Sequence, residues 1–346
     1  MDIFVIQMKL EVVTLEKDMY DVVIIGAGPI GLFTSFYGGM RQLKVKVIES
    51  LPQLGGQLSA LYPEKYIYDV AGLPKVKAQD LVNQLIVQAN QFQPTIVLNQ
   101  TVENVVKVND DYFQIISNCE THYSKTVLIT GGIGAFQPRK LNHESAVLYE
   151  DKNLHYFIND LSYYAEKEVC ILGGGDSAVD WALMMEPIAK KVTIIHRREG
   201  FRAHESSVKS MENSDVRIFT PYDIVDINGD GNKIHSIDIR KKDDEVVTLE
   251  LDELITNFGF VSSLGPIKEW GLEFSKNSIV VDNKMRTNIK GIYAAGDIVT
   301  FDGKVKLIAT GFGDAATAIS SIKTYIDPKS RQQPQHSTTL FEKMKV

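Results

Sequence analysis

The sequence predicts an α/β protein of two Rossmann-like dinucleotide-binding domains, each of the three-layer ββα type, one inserted into the other. Three observations carry this. Two apolar runs, Val22-Val23-Ile24-Ile25 and Val169-Cys170-Ile171-Leu172, each enter a glycine turn. The turns are Gly26-Ala27-Gly28-Pro29-Ile30-Gly31 and Gly173-Gly174-Gly175-Asp176-Ser177-Ala178, and each opens a helical pattern. A strand of the first kind returns late in the chain, at Gly291-Ile292-Tyr293-Ala294-Ala295-Gly296-Asp297, so the second unit lies within the first. A buried strand, a glycine turn and a helix start let backbone N–H groups approach a pyrophosphate.

Taken in order, residues 21–25 form a strand, 32–41 a helix, and Val45-Lys46-Val47-Ile48 a second strand ending at Glu49. Residues 51–75 are rich in glycine and proline and form a loop; a helix covers 78–92. Alternating segments at 95–108, 111–117 and 121–124 predict an antiparallel excursion. Val127-Leu128-Ile129-Thr130 then runs into Gly131-Gly132 as another buried strand. The second β-α-β unit spans 169–195 with its helix at 177–189, and short strands occupy 216–256. A helix is expected over 313–326, followed by a polar tail. The predicted division is 1–135 with 288–346 as one domain, including the tail 327–346, and 136–287 as the other.

Composition excludes several functions. The 346 residues carry 37 basic and 44 acidic side chains, a net charge of −7. That balance argues against nucleic acid as a partner. No run of about 20 apolar residues exists, so no membrane span is expected. The first 18 residues read as an extension without the basic start of a signal peptide. Cys119 and Cys170 are too few and too far apart in sequence for a disulfide framework, a CxxC pair or a zinc cluster. Low cysteine use suits a cytoplasmic setting.

The residue at the next strand end sets the preference of each turn. Glu49 stands 49 − 26 = 23 positions past Gly26, near the spacing of a ribose-binding carboxylate. It accepts both ribose hydroxyls and repels a 2′-phosphate, so this site favours FAD or NAD over NADP. Asp297 at the later strand end can accept from a ribityl chain, and the helix near 313 directs its positive end at the ring. The second unit has His196-Arg197-Arg198 at the matching point, 196 − 173 = 23 positions past Gly173, with Arg202 one turn on. Guanidinium groups bind phosphate in a bidentate fork, which suits the 2′-phosphate of NADP(H). The NADP set is Gly173, Gly175, Asp176, Ser177, His196, Arg197, Arg198 and Arg202; the FAD turn supplies Gly26, Gly28, Pro29 and Gly31.

Together these residues resemble the two-dinucleotide-binding flavoprotein reductases shaped like thioredoxin reductase, whose CxxC this chain lacks. The resemblance is closer to the thioredoxin-reductase-like ferredoxin–NADP reductases of bacteria. It rests on Gly-Gly-Gln-Leu at 55–58, Leu-Tyr-Pro-Glu-Lys at 61–65, Gly-Ala-Phe-Gln-Pro-Arg-Lys at 134–140, Asn-Phe-Gly-Phe-Val-Ser-Ser at 257–263 and the tail His336-Ser337-Thr338-Thr339-Leu340-Phe341. It covers nearly the whole chain after Met19. It implies FAD contacts at Glu49, Gln57, Tyr62, Val102, Phe136, Asp297 and Thr338, with Tyr62 on one face of the flavin. It also implies a homodimer in which the tail of one subunit covers the flavin of the other and His336 stacks opposite Tyr62.

The implied reaction is reversible hydride transfer between NADPH and FAD, with single electrons passed to ferredoxin or flavodoxin. It needs no side-chain acid or base and no metal, and the flavin carries the chemistry. The inserted domain is expected to rotate about its two linkers. Docking of an acidic carrier calls for local cations, for which Lys304, Lys306, Arg139 and Lys140 are candidates. Two rival readings are an NADPH oxidase or quinone reductase of the same fold and a non-catalytic flavin sensor. The polar tail counts against a membrane quinone.

Overall fold

The computed structural model describes residues 19–110, 112–150, 152–242, 244–333 and 336–344, so the N-terminal extension expected over the first 18 residues lies outside them. The chain divides into two compact units, Met1–Ala135 with Ser263–Val346, and Phe136–Ser262. The second unit is therefore inserted in the first.

The first part of the discontinuous unit holds β1 (Met19–Ile25), α1 (Pro29–Met40), β2 (Val45–Ile48), α2 (Gln57–Leu61), α3 (Ala78–Asn90), β3 (Thr95–Val97), β4 (Val102–Lys107), β5 (Phe113–Ser117) and β6 (Thr121–Ile129). Strands β3, β2, β1 and β6 run parallel in that order. Val22, Val23 and Ile24 of β1 are fully buried. Continuous apolar runs are what a parallel strand covered on both faces requires. One expectation changes here. Thr95–Val97 is the parallel edge strand beside β2, not part of the antiparallel excursion, because α3 serves as its crossover. Only β4, β5 and the start of β6 form the antiparallel meander.

The inserted unit contains β7 (Glu168–Gly173), α4 (Asp176–Met185), β8 (Lys191–Ile195), α5 (Glu205–Glu212), β9 (Arg217–Phe219), β10 (Asp223–Gly229), β11 (Ile234–Arg240), β12 (Val247–Glu250) and β13 (Glu253–Asn257). Its parallel sheet runs from Leu154–His155 through β13, β7 and β8 to β9. Strands β10 to β12 form an antiparallel sheet.

The chain re-enters the first unit at 262–263, not at 287–288 as the sequence predicts. Leu264, Ile267, Trp270, Ile279 and Met285 pack into the same core as β1 and β6, which draws this stretch across. Strand β14 (Ile292–Ala294) then pairs in parallel with Val127–Ile129 of β6. Helix α6 (Ile308–Ile326) begins at 308 rather than near 313. The tail, expected to be polar, carries α7 (Ser337–Met344). Phe341 of α7 lies 5.9 Å from Phe92, which lies 5.6 Å from Phe36 of α1.

Candidate functional site

In the discontinuous unit, the carboxyl ends of β1, β2, β6 and β14 converge on the first glycine turn. Gly26 adopts φ 104° beneath Thr130, whose hydroxyl donates to Gly26 O at 2.8 Å. A Cβ on Gly31 would stand 1.9 Å from Gly26 O, so the third glycine is required for close packing of α1 on the turn. A Cβ on Gly28 would meet nothing within 4 Å, so Gly28 borders open space. Pro29 occupies the first position of α1, and no side chain caps the helix. Its first N–H groups are thus left for an external anion.

Glu49 is 5% exposed. Its Oε2 accepts from Ala27 N at 2.7 Å, and its Oε1 accepts from Leu51 N at 2.9 Å and Ser50 Oγ at 3.2 Å. The carboxylate that would take a ribose also fixes the turn. Residues 55–57 lie against it: Gly55 N donates to Ala27 O at 2.9 Å, and a Cβ on Gly56 would be 3.0 Å from Gly28 Cα. Gln57 starts α2, with its amide nitrogen 3.1 Å from where a Cβ on Gly132 would sit.

Tyr62 ends α2 and is half-buried. Burial, then the charge of Asp297, pushes its phenol above its ordinary value, so the hydroxyl keeps its proton. Two of the residues implied by the resemblance are therefore neighbours. Gly296 abuts Ile30 of α1, and Asp297 follows it. Val102 is buried at the start of β4. Phe136 lies in the strand Ala135–Pro138, and its side chain is outside the described ones. His336 and Thr338 are exposed in the tail, Thr338 within α7.

Sequence reasoning misses Asp314. It is buried in α6, where its Oδ2 accepts from Gly296 N at 3.1 Å and pairs with Lys304 Nζ. The Lys304 side chain is 3% exposed, so it is a buried clamp and not a docking cation. Lys306 donates to Ser278 Oγ at 2.9 Å, and Lys140 pairs with Glu150 at 2.5 Å. Arg139 is exposed.

In the inserted unit, the second turn lies at the carboxyl ends of β7 and β13, with Gly173 paired to Asn257. No side chain caps α4, whose first turn exposes Asp176 and Ser177. The segment 197–204 folds back on the turn: Arg202 N donates to Gly174 O at 2.6 Å, and His204 N to Asp176 Oδ1 at 2.9 Å. An acid beside a pyrophosphate site is otherwise unfavourable, and this bond explains its place. His196 stacks on Phe201 at 5.4 Å, with its ring where a Cβ on Gly174 would fall. Burial, despite a bond that the ring donates to the Gly200 backbone carbonyl, pushes its imidazole below the ordinary value. His196 therefore supplies a floor for the turn, not positive charge. Arg197, Arg198 and Arg202 are exposed, with no side-chain bond or ion pair to any described residue. Among the described residues, the buried Nε2 of His196 and Nδ2 of Asn257 also find no hydrogen-bond partner. Uncapped helices, open glycine edges, an acid in one unit and unpaired arginines in the other fit two nucleotides of opposite 2′-substituent.

Among the described residues, no group of histidine, cysteine or carboxylate side chains could hold a metal, and no helix is long and apolar enough to cross a membrane.

Known proteins are similar to this chain in sequence and in fold. Residues 20–320 match the family model of pyridine nucleotide-disulphide oxidoreductases. A ferredoxin–NADP reductase of Halalkalibacterium halodurans is 66% identical over 327 residues, covering 94% of this chain and 99% of the relative. One of Bacillus subtilis is 62% identical, covering 94% and 98%. Solved thioredoxin reductases of Lactococcus lactis and T. acidophilum each share 26% identity, with TM-scores of 0.71 and 0.72. They cover 89% and 90% of this chain, and 99% and 100% of theirs.

Proposed function

The chain belongs to the pyridine nucleotide-disulphide oxidoreductase family, among its ferredoxin–NADP reductases, and from this we propose that it is an FAD-dependent ferredoxin–NADP(+) reductase. The observation that carries the reading is the contrast between Glu49 and the three unpaired arginines at equivalent strand ends. FAD, when bound, supplies hydride acceptance and one-electron release. The protein's part is to hold each nucleotide. The α1 N-terminus and Gly28 meet the FAD pyrophosphate, Glu49 the adenosine ribose, Asp297 the ribityl chain, and Tyr62 and Gln57 the ring. The α4 N-terminus and Ser177 meet the NADP(H) pyrophosphate, and Arg197, Arg198 and Arg202 the 2′-phosphate. The test is purification for a flavin spectrum, NADPH bleaching, and reoxidation by ferredoxin or flavodoxin. A colourless protein, or a flavin that NADPH does not bleach, overturns it.

A dithiol route is not supported. Cys119 is exposed on one unit, and Cys170 is buried in the other, where burial pushes its thiol up to about 12. Iodoacetamide at about pH 8 is expected to label Cys119 alone and leave roughly nine-tenths of ferredoxin-reducing activity. Loss of activity in step with labelling counts against the reading. The same thiols suit a reducing cytoplasm.

Asp176 serves the arginines through its bond to His204 N. Asp176→Ala is expected to raise the KM for NADPH about tenfold more than that for NADH, while Asp176→Asn, which keeps an acceptor, restores most of the ratio. Equal changes for both nucleotides exclude the role.

A homodimer with exchanged tails is part of this reading. Phe341 sits against Phe92, which fills the space beside Gly39 in the last turn of α1. His336 precedes α7 by one residue, about 8 Å along the helix from Phe341. The flavin-binding turn is at the other end of α1, about 18 Å away. This arrangement supports service to a second copy's flavin.

A further inference from the structure

We propose that Arg41 is a positioning residue, whose guanidinium fixes the root of the tail so that His336 reaches the flavin of a second copy. The proposal rests on the exchanged-tail reading above. Arg41 directly follows α1 and is 7% exposed. One terminal nitrogen donates to Gln332 O at 2.9 Å and Ser320 Oγ at 3.3 Å; the other donates to Arg331 O at 2.7 Å. These three acceptors are all neutral, and none is a carboxylate. A buried guanidinium is tolerated only when its donors are used. Joining α1 to α6 needs Ser320 alone, yet two of the three acceptors are consecutive carbonyls of the tail. The planar fork of arginine suits two carbonyls at once, which a lysine ammonium does not match.

The chain is prepared for this clamp. After α6, Asp327 turns it: Ser330 N donates to Asp327 O at 2.9 Å and Ser330 Oγ to Asp327 Oδ2 at 2.7 Å. Thr324 Oγ1 donates to the Gln332 side-chain oxygen at 3.3 Å. The tail is thereby fixed at 331 and 332, and His336 comes 336 − 332 = 4 residues later.

The test uses the full-length holoenzyme, Arg41→Met, a truncation ending at Gln333, and the two combined. The truncation keeps both carbonyls and removes His336. The readout is the single-turnover rate of flavin bleaching by NADPH, with melting temperature measured alongside. The truncation is expected to change the rate about fivefold or more, and Arg41→Met in the full chain to reproduce at least about half of that change. In the truncated chain, Arg41→Met should alter the rate by less than about 1.5-fold while lowering the melting temperature as in the full chain. If Arg41→Met leaves the full-chain rate unchanged while truncation shifts it, or shifts both backgrounds equally, the positioning role is wrong. If truncation itself is silent, the exchanged-tail reading fails and takes the proposal with it. Should Arg41→Met not fold, Arg41→Lys keeps the charge, loses the fork and is read in the same way.

Discussion

Gly28→Ala is expected to strip FAD from the protein without loosening its fold, whereas Gly31→Ala is expected to do both. The two glycines sit three residues apart in one turn but face different constraints. Gly28 has φ −67° and ψ −176°, which alanine adopts freely, and its added Cβ would touch no protein atom within 4 Å. The methyl group instead enters the space that the pyrophosphate needs, since the second glycine lets backbone approach it. A rise in the FAD dissociation constant of about tenfold to a hundredfold is expected, or about 1.4 to 2.7 kcal/mol. Gly31 has no such freedom. Its Cβ would overlap the Gly26 carbonyl, and backbone on both sides must move. Overpacking of this kind costs about 3 kcal/mol or more. Thermal melts of the flavin-free proteins separate the two: Gly28→Ala should match the parent, and Gly31→Ala should melt lower by about 5 °C or more. An apo melting temperature equally depressed in both would refute the assignment of Gly28 to the nucleotide.

The second large effect concerns the arginines. Arg197→Ala with Arg198→Ala is expected to raise the KM for NADPH about a hundredfold and to change that for NADH less than about twofold. Each charge-assisted bond to the 2′-phosphate is worth about 1.5 to 3 kcal/mol, and two losses of the lower value give that factor. Removing these side chains leaves no protein group unpaired, because they bond to no described residue. Their loss should therefore leave the melting temperature of the nucleotide-free protein unchanged. The KM of the parent for NADPH should also climb with ionic strength more steeply than that of the variant. A uniform loss for both nucleotides would show that the arginines serve the fold and not the phosphate.

The parts legible in the sequence are those encoded locally. Strand β1, its glycine turn and α1 occupy consecutive residues, so apolar runs and helical spacing reveal them. Glu49 and Arg197 are within reach because a βαβ unit fixes the distance from turn to next strand end. Features assembled from distant residues are not. Asp314 reads as one polar residue in a small-residue helix until Gly296 and Lys304 close on it. Arg41 reads as an ordinary cation after a helix, since its acceptors lie 290 and 291 positions away. Lys304 looks available for docking because a basic residue beside glycine in a loop is usually solvated. His196 looks cationic because it precedes two arginines, but Gly174 and Phe201 enclose its ring. The return at 263 is masked by short apolar patches that periodicity assigns to no domain.

Strand β6 has a bearing on how the chain is made. Its last residues pair with β14, Val127 with Ile292, across 292 − 127 = 165 positions. Everything between includes the whole of the inserted unit, a continuous segment. At about 5–20 residues per second, roughly 8 to 30 seconds pass between synthesis of β6 and synthesis of its partner. During that interval the edge of β6 is unpaired, and Gly296, Asp297 and α6 do not yet exist. The sheet that carries the first glycine turn is thus completed only after the inserted unit has been made. A nucleotide held at the first glycine turn would therefore bridge segments that the inserted unit keeps far apart in the chain.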